Sequence, residues 1–194
     1  LVLSDESIEV LDRGLAMDYK NVKMLGIPIY YNGVVMDIKR YNLLKLPNIA
    51  KIVGNADTEN GFIFPFDKWI NDSSEKTYIF EGEKDAIMSR NLGINGISIT
   101  GGAKNMPNEL VLPAFAGRDI VICYDNDEAG KIGATKLFSK LRRIANSVKY
   151  IDISEIVKEE KEDFYDAVTK YNMDTFIFNI LEEHENLPPG FTKA

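Results

Sequence analysis

The chain holds one cysteine, one histidine and one tryptophan in 194 residues. A single thiol excludes an internal disulfide, and one cysteine with one histidine cannot supply the thiolate and imidazole ligands of a usual zinc site. No apolar run approaches the ~20 residues that span a bilayer, and no signal-peptide pattern opens the chain. A soluble protein of a reducing, cytoplasmic compartment with no membrane partner is therefore expected. Positive charge is also in deficit: the net charge of −7 argues against a protein that coats nucleic acid by bulk electrostatics. The charge is unevenly spread, however. Between Tyr19 and Ala56 stand Lys20, Lys23, Lys39, Arg40, Lys45 and Lys51 against Asp37 alone, whereas the first eighteen residues carry five acids against Arg13. Such a segment suits a localised phosphate-facing surface, and chance clustering on a solvated surface explains it equally well.

What the sequence does have is acids at the ends of apolar runs. Ile120-Val-Ile-Cys-Tyr124 is apolar without alternation, which predicts a strand covered on both faces. Cys123, inside it, reads as a small core residue. The run ends in Asp125-Asn-Asp127 and then meets a helix start. Side chains at i and i+2 of an extended segment point the same way, so both carboxylates would face one place. At ~5 Å and an effective dielectric of ~20, two such charges repel by roughly 3 kcal/mol. Protonation of one acid or a divalent cation must offset that. Tyr78-Ile-Phe-Glu-Gly-Glu-Lys-Asp85 repeats the design, with Glu81 at the strand tip, Gly82 at the turn, and Glu83 and Asp85 in a first helical turn that suits acids. A third acid group, Glu162-Asp-Phe-Tyr-Asp166, follows a later strand. Acids at three strand ends of one sheet suggest one shared site.

The remaining pattern supplies the frame. Strands over 77–80, 96–100, 119–124 and 148–151 alternate with helices over 83–92, 108–115 and 129–145, which predicts a parallel sheet with helices on both sides. Gly130 and Gly133 are spaced for close packing on that sheet. Ahead of it, Asn32-Gly33 between two β-rich arms marks a hairpin, with Val35, Asp37 and Lys39 on one face of its second arm. The segment 42–61 reads as irregular and 4–15 as a helix. Phe62, Phe64, Phe66 and Trp69 read as core rather than stacking platforms. The turn Thr100-Gly-Gly-Ala-Lys104 leaves its strand at the same end as the acids, where backbone amides and Lys104 could meet an anion. Three units are expected: a small α+β lobe over 1–75, a catalytic domain over 76–172, and a helix and tail over 173–194.

The two acidic motifs, Phe80-Glu-Gly-Glu-Lys-Asp-Ala86 and Tyr124-Asp-Asn-Asp-Glu-Ala-Gly130, resemble the Toprim domain, a catalytic fold shared by bacterial-type primases, topoisomerases and certain nucleases. The wording is most similar to primases and phage-type primase-helicases. The resemblance implies a Rossmann-like α/β parallel sheet preceded by a small α+β lobe with a β-hairpin. It implies Glu81, Asp125 and Asp127 as catalytic residues, and the same three with Asp163 as ligands of Mg²⁺ or Mn²⁺. At Asp163 the sequence departs from the pattern, because Glu162 rather than lysine precedes it. Lys39, Arg40, Lys45, Lys51 and Lys104 are candidates for phosphate contacts. The implied activity is DNA-templated synthesis of short RNA primers, with single-stranded DNA and ribonucleoside triphosphates as partners and a replicative helicase fused or separate. A Toprim nuclease or topoisomerase that cleaves phosphodiesters, and an inactive nucleic-acid-binding module, are the alternatives. Such primases carry a zinc ribbon ahead of the catalytic part; its absence, with a first residue that is not methionine, suggests a fragment with no zinc of its own.

Overall fold

A computed structural model describes residues 15–19, 22–42, 47–48, 50–54, 58–72, 76–159, 162–183 and 187–191. Two sheets carry the architecture. The first is antiparallel and runs in chain order through β1 (Leu15–Tyr19), β2 (Val22–Tyr31), β3 (Val34–Tyr41) and β4 (Ile52–Val53). Its β2–β3 hairpin turns at Asn32 and Gly33, whose φ values of 51° and 77° are the positive angles that an Asn-Gly pair accepts. Both turn amides donate to the carboxylate of Asp67, at 2.8 and 2.7 Å, tying the hairpin tip to the next helix.

Strict alternation along β3 breaks at a bulge. Ile29 opposes Asp37 and Tyr30 opposes Val35, so Met36 is unmatched. The extra residue separates Val35 from the face it would share with Asp37 and Lys39. Asp37, Lys39 and Tyr41 are buried, while Val34 and Val35 at the tip are exposed.

The second sheet has the order β5-β7-β6-β8-β9. Its members are β5 (Ile63–Phe64), β6 (Lys76–Phe80), β7 (Gly96–Ile99), β8 (Asp119–Cys123) and β9 (Ser147–Tyr150). β6, β7, β8 and β9 are parallel and β5 is antiparallel to β7. The unbroken apolar runs of β6 and β8 are explained by cover on both faces. Ile79, Ile120 and Ile122 pack with the small sheet, α1 (Phe66–Ile70) and α3 (Glu128–Leu141). Tyr78, Phe80, Val121 and Cys123 point the other way, toward α4 (Phe164–Tyr171) and α5 (Thr175–Glu183). α2 (Glu83–Asn91) contributes to both cores through Ile87 and Met88. Phe62, Phe64, Phe66 and Trp69 are buried in the first, as core residues.

The expected α/β fold, a parallel sheet preceded by a small lobe with a hairpin, is the fold observed. The helix expected over 108–115 is a short 3₁₀ turn, Leu112–Phe115. Pro113 lacks an N–H and would clash inside a helix begun at 108, whereas it is accommodated near a helix start. The helix expected over 4–15 lies outside the described residues except for Leu15, which opens β1. β5 precedes the segment 71–75 in sequence yet pairs with β7. No helix among the described residues is long and apolar enough to cross a membrane.

Candidate active site

Glu81 and Asp125 follow the carboxyl ends of adjacent parallel strands, with Phe80 directly opposite Cys123 in the ladder. From β6 the chain crosses by α2 to β7 on one side; from β8 it crosses by α3 to β9 on the other. The gap between the two departing helices is the crevice where ligands gather in open α/β sheets. A cleft of about 340 Å³ opens there. Glu81, Asp85, Asp125 and Asp163 line the sheet side, and Lys39 and Lys51 line it from the small lobe.

Local structure places each acid. Asp127 is the N-cap of α3, its Oδ1 accepting the Gly130 N–H at 2.7 Å. A Cβ at Gly130 would meet the Asp125 carbonyl oxygen at 2.3 Å, so only glycine lets the helix approach this closely. Across the cleft, Gly101 and Gly102 have φ of 97° and 72°, angles open to glycine, and Gly102 passes beside Glu81. Asp163 is the N-cap of α4 in a capping box with Asp166.

The charges of this cluster are unequally compensated. Glu81 Oε2 is buried and takes no hydrogen bond. Burial and the neighbouring Asp127 charge raise the Glu81 carboxyl, opposed by the amides of Ala103 and Asp125 and by Lys51. Burial, then Asp85, Glu81, Asp163 and Asp127, push Asp125 up to about 9. Asp85, buried and beside Asp163, is pushed up to about 7, although Lys84 and the Tyr165 N–H pull it down. Lys84 pairs with Asp163 and lies 4.0 Å from Asp85. Burial disfavours its charge, but Asp85 and Asp163 more than offset that and raise it.

A second, self-contained polar group lies beside the acids. Lys39 Nζ sits 2.7 Å from Asp37 Oδ2 and donates to Asn60 Oδ1 at 3.2 Å, and the Tyr41 hydroxyl donates to Glu83. It ties β3 to the first turn of α2.

Among the described residues, no three carboxylate, imidazole or thiol groups converge closely enough to hold an ion as the side chains stand. Mg²⁺ asks for less, because it keeps several waters and takes one or two carboxylates plus substrate phosphates. The hard oxygen donors of Glu81 and Asp125, with the orphaned Glu81 Oε2 between strand ends, fit that requirement.

Of the residues singled out in the sequence, Glu81, Asp125 and Asp163 meet in the cleft, and Asp127 stands beside it, close enough to raise Glu81. Lys39 and Lys51 line the opposite wall; Lys39 is buried and Lys51 exposed. Arg40 is partly buried and outside the lining, as expected one residue from Lys39 on a strand. Lys104 is exposed and also outside the lining, and Lys45 lies outside the described residues. The sequence alone does not single out Asp85 and Lys84 as site residues. Their signal was spacing: four residues past Glu81 is one turn into a helix that starts at the strand tip.

Comparison with known proteins agrees with this fold. The Toprim-like family profile matches residues 78–168. No curated protein matches the chain significantly in sequence. Among solved structures, the Aquifex aeolicus primase, comprising zinc-binding and RNA polymerase domains, superposes with a TM-score of 0.64 at 17% identity over 95% of this chain and 50% of that one. The primase fragment of the bacteriophage T7 primase-helicase gives 0.59 at 15% identity, over 88% and 68%. A DnaG primase catalytic domain bound to single-stranded DNA gives 0.62 at 16% identity, over 92% and 59%. The chain thus spans half the length of the Aquifex protein. Residues 78–168 thus match the Toprim-like family, and the chain has the fold of bacterial and phage primase catalytic domains.

Proposed function

We propose that this chain is the catalytic part of a primase, joining ribonucleotides on a single-stranded DNA template. One observation carries the reading. Glu81 and Asp125 bring under-compensated negative charge to the carboxyl ends of adjacent parallel strands, in a cleft faced by an exposed lysine, Lys51. Carboxylates crowded closely enough to raise one another are suited to a divalent ion and, through it, to the phosphates of a nucleotide.

Chain extension joins a 3′-hydroxyl oxygen to the α-phosphorus of a ribonucleoside triphosphate and releases pyrophosphate. Glu81, Asp125 and the second oxygen of Asp127 would hold Mg²⁺ or Mn²⁺, which when bound offsets charge on the phosphate oxygens and favours ionisation of the attacking hydroxyl. Glu81, with its carboxyl raised, is also placed to accept the hydroxyl proton. Lys51 meets the triphosphate or the template backbone from the small lobe. Lys39 is held by Asp37 and Asn60, so it shapes the wall rather than reaching for substrate. Primases of this fold include one bound to single-stranded DNA and one belonging to a primase-helicase, which supports a DNA template and a helicase partner here.

The test is incubation with single-stranded DNA, labelled ribonucleoside triphosphates and Mg²⁺ or Mn²⁺, alone and within any longer form of the protein. Short, template-dependent RNA from either is expected. DNA cleavage in place of synthesis would reassign the site to a nuclease, and template binding with no chemistry in any form would make it a binding module.

A further inference from the structure

We propose that Lys84 is a resident cation that occupies the Asp85–Asp163 side of the acidic cleft, excludes a divalent ion from it, and confines metal to Glu81 and Asp125 with Asp127. The proposal rests on the reading of the cleft as a metal-dependent active site, and it narrows the ligand set that the family resemblance implies.

The two sides of the cleft differ in what already satisfies their oxygens. Asp163 Oδ2 is ion-paired with Lys84 Nζ, and its Oδ1 accepts the Asp166 N–H at 2.9 Å. Both oxygens are thus already engaged within the protein. Asp85 Oδ1 accepts the Tyr165 N–H at 3.0 Å and lies 4.0 Å from the same ammonium. Lys84 is fixed from several directions, because its root is in the first turn of α2 and its ammonium lies 4.5 Å from the centre of the Tyr165 ring. Its side chain is 25% exposed, against 10% for Asp163 and 6% for Asp85. On the other side, Glu81 Oε2 is buried without a donor.

A divalent ion placed between Asp85 and Asp163 would meet a like charge at contact range and would have to displace Lys84 from Asp163. Between Glu81 and Asp125 it meets neither obstacle. Lys84 thus acts as a positioning residue that sets how many ions the cleft takes and where.

The experiment counts bound Mn²⁺ by electron paramagnetic resonance on the whole chain, with circular dichroism confirming the fold of each variant. Wild type is expected to bind one ion tightly. Lys84→Met should bind two, or gain a second binding step roughly tenfold or more tighter than any in wild type. Lys136→Met, an exposed control on α3, should match wild type. Asp163→Asn tests the idea without touching Lys84: asparagine keeps the helix cap, and the wild-type ion should remain. Two tight ions in wild type, an unchanged count in folded Lys84→Met, or loss of the ion in Asp163→Asn would each overturn the proposal while leaving a metal site in place. No Mn²⁺ bound by wild type or Lys84→Met would overturn the metal-dependent reading itself, and this proposal with it.

Discussion

Two clusters of ionisable side chains lie within one turn of α2 from each other and obey opposite rules. Under the small sheet, Asp37, Lys39, Tyr41 and Glu83 are buried and engage one another across a lobe boundary. At the strand ends, burial raises the carboxyls of Glu81 and Asp125, and neighbouring acids raise them further. The difference separates polar groups that build the molecule from polar groups that await something else. Burial of a charge with its partner is tolerable; burial beside like charge is a cost, and on the proposed function a bound ion would offset it here.

Breaking the comparison at its functional end should have the largest effect. Asp125→Asn is expected to lower RNA synthesis by about 10³-fold or more, corresponding to about 4 kcal/mol of transition-state stabilisation, while the circular dichroism spectrum stays that of the folded protein. Breaking it at the structural end should reverse the pattern. Lys39→Met removes the ion pair of the buried Asp37 carboxylate and is expected to cost up to about 3 kcal/mol of stability, measured by urea unfolding. A smaller effect sharpens the boundary at Asp127, which has a foot in both categories. Asp127→Ala should lose about 1 kcal/mol with the helix cap, and Asp127→Asn should keep that stability, yet both should lose synthesis. Equal stability of the two would remove the capping role from the account.

Much of this was legible in the sequence, for reasons specific to particular residues. The acids Glu81 and Asp125 could be placed because an apolar run covered on both faces must end at an edge, and glycine and helix signals follow at once. The hairpin announced itself through Asn32-Gly33. β4 and β5 were not legible, since two-residue strands carry no period and form only because a partner strand offers a ladder. Alternation puts Asp37 and Lys39 on one face, but the separation of Val35 from them needed the bulge at Met36, which alternation alone does not reveal. Lys84 looked like one more charge in a helical first turn. Its role depends on Asp163, 79 positions along the chain, and appears only when α2 and α4 are brought together.

The central claim is that the strand-end acids are an unneutralised charge waiting for a cation, and thermal unfolding across pH tests it most directly. Asp125 and Asp85, at about 9 and about 7, hold protons more tightly in the folded state than in the unfolded chain, where an aspartate titrates near ~4. Fewer protons are bound on unfolding, so stability is greatest below about pH 4 in this respect and falls as pH rises toward about 9. Metal-free wild type should therefore lose Tm between about pH 5 and pH 9, Asp125→Asn should lose less and at the upper end exceed wild type by roughly 3–8 °C, the equivalent of about 1–2 kcal/mol. Mg²⁺ should restore the wild-type Tm at high pH and leave Asp125→Asn nearly unmoved. Equal Mg²⁺ effects on both proteins, or a wild-type Tm indifferent to pH and metal, would contradict the account.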